Sequence, residues 1–287
     1  MSAPSPTEAA GHEGRLGLAL VTPAVLVVAL FFVFPLGLSL VTAFQLKEGG
    51  WSLANFGKAF ELYWNDIVFT LVMVTVSALL VGLLAILIGG YLTLGSSPVA
   101  VAMLRWLYRL PLFIPFVVAA QTMSSFLAKN GLMNHALISA GLLEPLQAQS
   151  FLDWRGMMIT FVWKQTPFVA LMVAGAMASL DRALIEAARN CGAGRLRVLV
   201  EILVPLVRPT LLVGLVLSFV TMLSVLSVPV MINAGSPTLM TVDMAYRITA
   251  HGDYGVANAL GFVSCLMASA AAWIYLRLSL REKETGR

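Results

Sequence analysis

The sequence predicts an all-α integral membrane protein with six transmembrane helices and both termini on the cytoplasmic side (N-in, C-in). Three observations carry this expectation. Of 287 residues, 59% are hydrophobic and only 11% are charged; six long stretches are almost free of ionisable residues; and Lys and Arg concentrate in alternate connecting segments. Soluble domains average about 45–50% apolar and about 25% charged residues. A soluble core of this length could not hide so much apolar surface, so lipid must be the solvent for much of the chain.

Each crossing needs about 20 mainly apolar residues. The expected spans are 16–46 between Arg15 and Lys47, 67–104 between Asp66 and Arg105, and 110–128 between Arg109 and Lys129. The fourth is 156–180, interrupted by Lys164, the fifth lies within 209–242, and the sixth is 254–276. With the N-terminus inside, twelve of the eighteen Lys and Arg fall in cytoplasmic pieces and five outside. Positive residues near spans are retained in the cytoplasm, which favours this orientation. The net charge of +4 then reads as an orientation signal and not as a nucleic-acid surface.

The connecting segments follow in order. Residues 1–14, rich in Pro, Ser, Ala and Gly, are expected to be a disordered cytoplasmic tail, and 15–46 the first transmembrane helix. That leader lacks a basic cluster and its apolar run exceeds the roughly 7–15 residues of a cleavable signal, so it should remain as an anchor. Segment 47–66 mixes Trp51, Phe56, Phe60, Tyr63 and Trp64 with charges and reads as an external interfacial helix. Residues 67–276 form the core domain, and 277–287 a second cytoplasmic tail. In the external loop 129–155 a turn at Asn130-Gly131 precedes a short apolar helix over 132–143 that ends near Pro145. Pro23, Pro35, Pro115, Pro167 and Pro229 are expected to lie within spans as kinks. Cys191 falls in a cytoplasmic loop and Cys265 in the sixth span, so they should not pair.

The segment 181–208 is unusual because it is 28 residues long where a plain connection needs about 2–8. Asp181 can cap a helix through Leu184, Ile185 and Ala188; Gly192 and Gly194 break it; a second helix from Arg195 is expected to stop at Pro205. Leu184, Ile185 and Ala188 form an apolar ridge rimmed by Arg182, Glu186 and Arg189. Such a ridge either enters a partner's groove or rests on the membrane surface.

Other functions are excluded by what the spans and loops lack. The charge-free spans contain no Asp or Glu, and His12, His135 and His251 fall outside them, which disfavours a proton-coupled carrier. There are no metal-spaced His or Cys, no G-x-S-x-G elbow and no G-x-x-x-x-G-K-[ST] string. The chain is therefore expected to hold no catalytic residue, cofactor or metal, and not to be an enzyme itself. Lys164, the one charge within a span, either lines a solute pathway, binds carbonyls exposed by Pro167, or snorkels outward. Gln121, Ser124, Ser125, Thr221, Ser224 and Ser227 are neutral candidates for that pathway, with Ser224 and Ser227 three apart on one helical face.

Glu186-Ala187-Ala188, three residues, Gly192, nine residues, then Ile202 and Pro205 resembles the EAA loop of binding-protein-dependent ABC importer permeases. The pattern departs at Val204, where the family has Leu. The resemblance covers roughly 66–276 and implies a permease of the bacterial inner membrane with a cytoplasmic coupling helix. It implies that Leu184, Glu186, Ala187 and Ala188 meet an ATPase subunit, that Gly192 makes the turn, and that Ile202 and Pro205 complete the motif. It also implies a second homologous permease in a heterodimer, two ATPase subunits that bind ATP and Mg, an external solute-binding protein, surrounding lipid, and no nucleic acid. Trp163-Lys164 with Pro167-Phe168, Gly235-Ser236-Pro237 and Asp253-Tyr254-Gly255 look like sugar-importer permeases. Ser52-Leu53-Ala54-Asn55-Phe56, Gly131-Leu132-Met133-Asn134 and Cys191 before Gly192 are similar to the polyamine, iron and phosphonate branch. The expected cargo is a carbohydrate-type solute, with a polyamine, iron or organophosphonate-type solute as the alternative.

Overall fold

Lipid offers the backbone no hydrogen-bonding partner, so a chain this apolar must satisfy its amides within helices. The computed structural model describes residues 20–46, 49–232 and 235–284, with side chains as far as 278. The expected tail 1–14, the start of the first span, Lys47, and 285–287 lie outside the described residues. The long helices are α1 (Leu20–Phe44) and α2 (Ala54–Leu94). After them come α3 (Pro98–Leu107), α4 (Phe116–Leu127), α5 (Leu132–Ser139), α6 (Trp154–Ala178) and α7 (Arg182–Asn190). The chain continues through α8 (Arg195–Ser224), α9 (Ser227–Ile232), α10 (Met240–His251) and α11 (Tyr254–Glu284). Among the described residues, five of these helices are long and apolar enough to cross a membrane. The bent pair Pro98–Phe113 and Phe116–Ser139, at 108°, makes a sixth crossing if counted as one.

Several expected boundaries are corrected. The second span ends at Leu94, not 104, because Ser97 caps a new helix whose first position is Pro98. The third is no straight helix over 110–128. A 3-10 turn at Leu110–Phe113 gives way to extended Ile114, and helix resumes only after Pro115. The fifth begins at Arg195, well before 209. Pro205 does not stop it, because a π turn over Leu199–Leu203 places Val204 and Pro205 at the start of a fresh helical register. The same device, a π turn at Ala29–Val33, precedes Pro35 in α1. Helix α5 ends at Ser139 rather than 143, since Gly141 turns the chain at φ 69°. The interfacial segment holds a helix that begins at Ala54, and a non-helical break at Tyr63 (φ −122°, ψ 16°) separates it from the rest of α2.

By packing, the chain divides into two units, Met1–Leu62 with Arg247–Phe262, and Tyr63–Tyr246 with Val263–Arg287. In the first, Phe56 lies 4.9 Å from Phe44 and 5.6 Å from Phe262, ring centre to ring centre. Asn55 Nδ2 donates to the Ala43 and Gln45 carbonyls, both 3.0 Å, at the end of α1 where helical partners run out. Lys58 Nζ pairs with Asp253 Oδ2 at 2.9 Å.

In the second unit α6 packs along α8, and small residues let the helices approach. A Cβ on Gly90 would sit 2.7 Å from Leu199 Cδ1, and one on Gly214 3.2 Å from Val169. One buried cluster joins Val81, Val173, Met177, Leu199 and Leu203 with Ile185 of α7. Another joins Met73, Phe161, Met222, Val228 and Ile232.

Candidate functional site

The loop 181–208 is built as a lever, with α7 turned back onto the base of α8. Asp181 starts it, its Oδ1 accepting from Ala183 N at 2.9 Å. The far end closes with a Schellman motif, in which Ala193 N donates to Ala188 O (3.0 Å) and Gly192 N to Arg189 O (2.9 Å). Gly192 stands at φ 83° with nothing within 4 Å of where a Cβ would lie. The backbone conformation, not space, demands glycine there. Helix α8 then leaves from Gly194.

The expected ridge of Leu184, Ile185 and Ala188 is split. Ile185 is buried in the chain's own core and Ala188 is half-buried against it, while Leu184 and Ala187 are exposed. Burying Ile185 contributes about 1.5–3 kcal/mol to holding α7 down. The ridge is therefore largely the lever's internal seat, and the free face is the small-residue flank around Ala187. Ile202 is half-buried beside the same core, and Pro205 is exposed on α8. Glu186 turns to another flank. It borders a cavity of about 650 Å³ whose walls include Arg105, Tyr108 and Arg109, the end of α6, and Arg182 and Arg189 of α7.

Lys164 is buried. Its Nζ donates to the Pro111 carbonyl at 2.9 Å and lies 3.4 Å from that of Leu112, 5.1 Å from the centre of the Phe116 ring. The carbonyl reading therefore falls on Pro111 and Leu112 and not on carbonyls exposed by Pro167. The Pro111 carbonyl also accepts from Ile114 N at 3.3 Å, and the ammonium adds a second donor to it from α6. Pro167 sits inside α6 without ending it.

Of the neutral candidates, Gln121 and Ser125 are exposed and Ser124 half-buried on α4. Thr221 Oγ1 donates to Leu217 O (2.7 Å) and Ser224 Oγ to Thr221 O (2.9 Å), both within α8. Ser224 and Ser227 do not share a helical face. Val225 is extended, and Ser227 opens α9. The cause is Pro229, whose ring would clash with the carbonyl four residues back, that of Val225. Thr241 Oγ1 takes the freed carbonyl at 3.3 Å. The carbonyl that Pro229 frees was open to arithmetic on proline positions, but its donor Thr241, like the Lys164 contact, comes from a distant segment that no local pattern marks.

Comparison with known proteins follows the same geometry. The family model described as a binding-protein-dependent transport system inner membrane component matches residues 10–282. The chain is 28% identical over 293 residues to a sulfoquinovosyl glycerol transport system permease protein (SmoG) of Agrobacterium fabrum, covering 94% of this chain and 91% of that one. It is 30% identical over 266 residues to an sn-glycerol-3-phosphate transport system permease protein (UgpA) of Escherichia coli, with 83% of each covered. It is 25% identical over 288 residues to a trehalose/maltose transport system permease protein (MalF) of Thermococcus litoralis, covering 93% and 94%. Among solved structures, a bacterial ABC transporter involved in the import of the acidic polysaccharide alginate shares the fold. Its TM-score is 0.77 at 23% identity, with 95% of this chain and 99% of that one covered.

Proposed function

We propose that this chain, which belongs to the family of binding-protein-dependent transport system inner membrane components and is a permease subunit of an ATP-binding-cassette importer, carries a carbohydrate-type solute and takes its energy through α7. The observation that carries the mechanical part is the lever itself. It has a capped helix, a glycine turn and a buried seat at Ile185, and it leaves a small exposed flank at Ala187. A helix of alanines can sit deep in a partner's groove, and a seat anchored in the core moves with α6 and α8 as a rigid body. ATP and Mg would be held by two partner ATPase subunits, and a second, homologous permease would complete the pathway. The termini and α7 face the cytoplasm in this reading, and an external binding protein delivers the solute. The relatives named above are permease proteins of sulfoquinovosyl glycerol, trehalose/maltose and sn-glycerol-3-phosphate transport systems, which favours the carbohydrate class over polyamine, iron or organophosphonate solutes.

Two measurements test this. With Cys191 replaced by Ser, Ala187→Cys in the assembled complex should crosslink to the ATPase subunit, whereas Cys at Ala176 should not. Failure of Ala187→Cys to reach that subunit in a complex that hydrolyses ATP would remove α7 from the coupling role. For the cargo, the partner binding protein should gain thermal stability with oligosaccharides or glycerol-linked sugars. Stabilisation by polyamines alone would overturn the carbohydrate assignment.

A further inference from the structure

The cavity beneath the lever has more charge than membrane orientation requires. Arg105 and Arg109 enter from the segment around α3, and Arg182 and Arg189 from α7, while Glu186 is the one carboxylate in its wall. Four guanidinium groups against one carboxylate leave an excess of three positive charges. Among the described residues, none of the four pairs with Glu186 or any other carboxylate within 4.0 Å. Arg182 and Glu186 are four apart and Glu186 and Arg189 three apart on α7, spacings at which a helix normally lets such pairs form. Arg109 Nε instead donates to Tyr108 Oη at 3.2 Å. Retention of positive residues on one side of the membrane explains their number but not their convergence on one concave space.

We propose that this cavity is an oxyanion site that takes a phosphate- or sulfonate-type group, and that its occupant ties the lever to the α3 corner. Guanidinium groups present paired N–H donors that match the oxygens of such anions. A cavity of about 650 Å³ holds a group well beyond the size of a free ion. The anion could be an anionic lipid headgroup, which basic pockets at the cytoplasmic ends of spans recognise, or a soluble anion. Either source bridges guanidinium groups on two elements whose Tyr108 and Ile185 belong to one buried cluster. The proposal rests on reading α7 as the coupling lever for its consequence, but not for its occupancy.

Arginine footprinting separates the two. The whole complex, with its partner subunits, is placed in nanodiscs of phosphatidylcholine and treated with phenylglyoxal, and modification of each arginine is followed by peptide mass spectrometry. Inorganic phosphate at about ten times its dissociation constant should slow modification of Arg105, Arg109, Arg182 and Arg189 about tenfold. Arg195 and Arg197, outside the cavity, serve as references. Protection by phosphate in neutral lipid identifies a soluble anion. Protection only when phosphatidylglycerol is added identifies a headgroup. In both cases Arg105→Gln with Arg189→Gln should abolish protection of Arg109 and Arg182. Equal modification of all six arginines, with or without either anion, would overturn the site while leaving the Ala187 crosslink untouched.

Discussion

Replacing Gly192 with Val should reduce solute uptake and solute-stimulated ATP hydrolysis by at least about tenfold while the chain still inserts and assembles. The reason lies in the backbone. At φ 83° an L-residue costs about 1–2 kcal/mol, and a β-branched residue is the least tolerant. Relief of that strain opens the Schellman motif and forfeits the bonds from Gly192 and Ala193, each worth about 0.5–1.5 kcal/mol. Since 1.4 kcal/mol is about tenfold in an equilibrium, the ratio of seated to unseated α7 would fall by about tenfold. A graded series makes the argument specific. Gly192→Asn, whose side chain tolerates the left-handed region, should keep most activity, and Gly192→Ala should fall between. Nothing lies within 4 Å of the Cβ position, so steric clash predicts no such order. Wild-type uptake by correctly assembled Gly192→Val would show that the turn does not set the lever.

The lever and the apolar helices were readable from local signals because each rests on composition or on one residue's backbone preference. Asp181, Gly192 and the 28-residue length marked the loop, and the structure places a capped helix and a left-handed turn there. What could not be read was anything decided by a distant partner. The ridge of Leu184, Ile185 and Ala188 looked free, because nothing local says that Val198, Leu199 and Leu203 come back to cover Ile185. Charge-free gaps also put the fifth span after 209, apart from the helix expected to begin at Arg195, where the two are one. Arg195, Arg197, Glu201 and Arg208 all lie on one helix that extends beyond the apolar zone, with Arg197 Nε bonded to Glu201 Oε2 at 2.8 Å. Helix ends in this chain follow prolines and caps, and charge marks only where lipid ends.

Lys164→Met should lower the melting temperature of the assembled complex by roughly 3–10 °C while leaving the KM for solute uptake within about twofold. Hydrogen bonds to a charged group contribute about 1.5–3 kcal/mol, and each kcal/mol moves the midpoint about 2–4 °C in a chain of this size. Methionine keeps the stem's volume, so the loss reports the ammonium's contact with the Pro111 and Leu112 carbonyls rather than a void. A role for the ammonium in contacting solute yields a different pattern, with KM or turnover altered and the melting temperature unchanged. The two roles separate because one acts on backbone carbonyls of the protein itself, and the other on a molecule that is absent when the protein melts without solute.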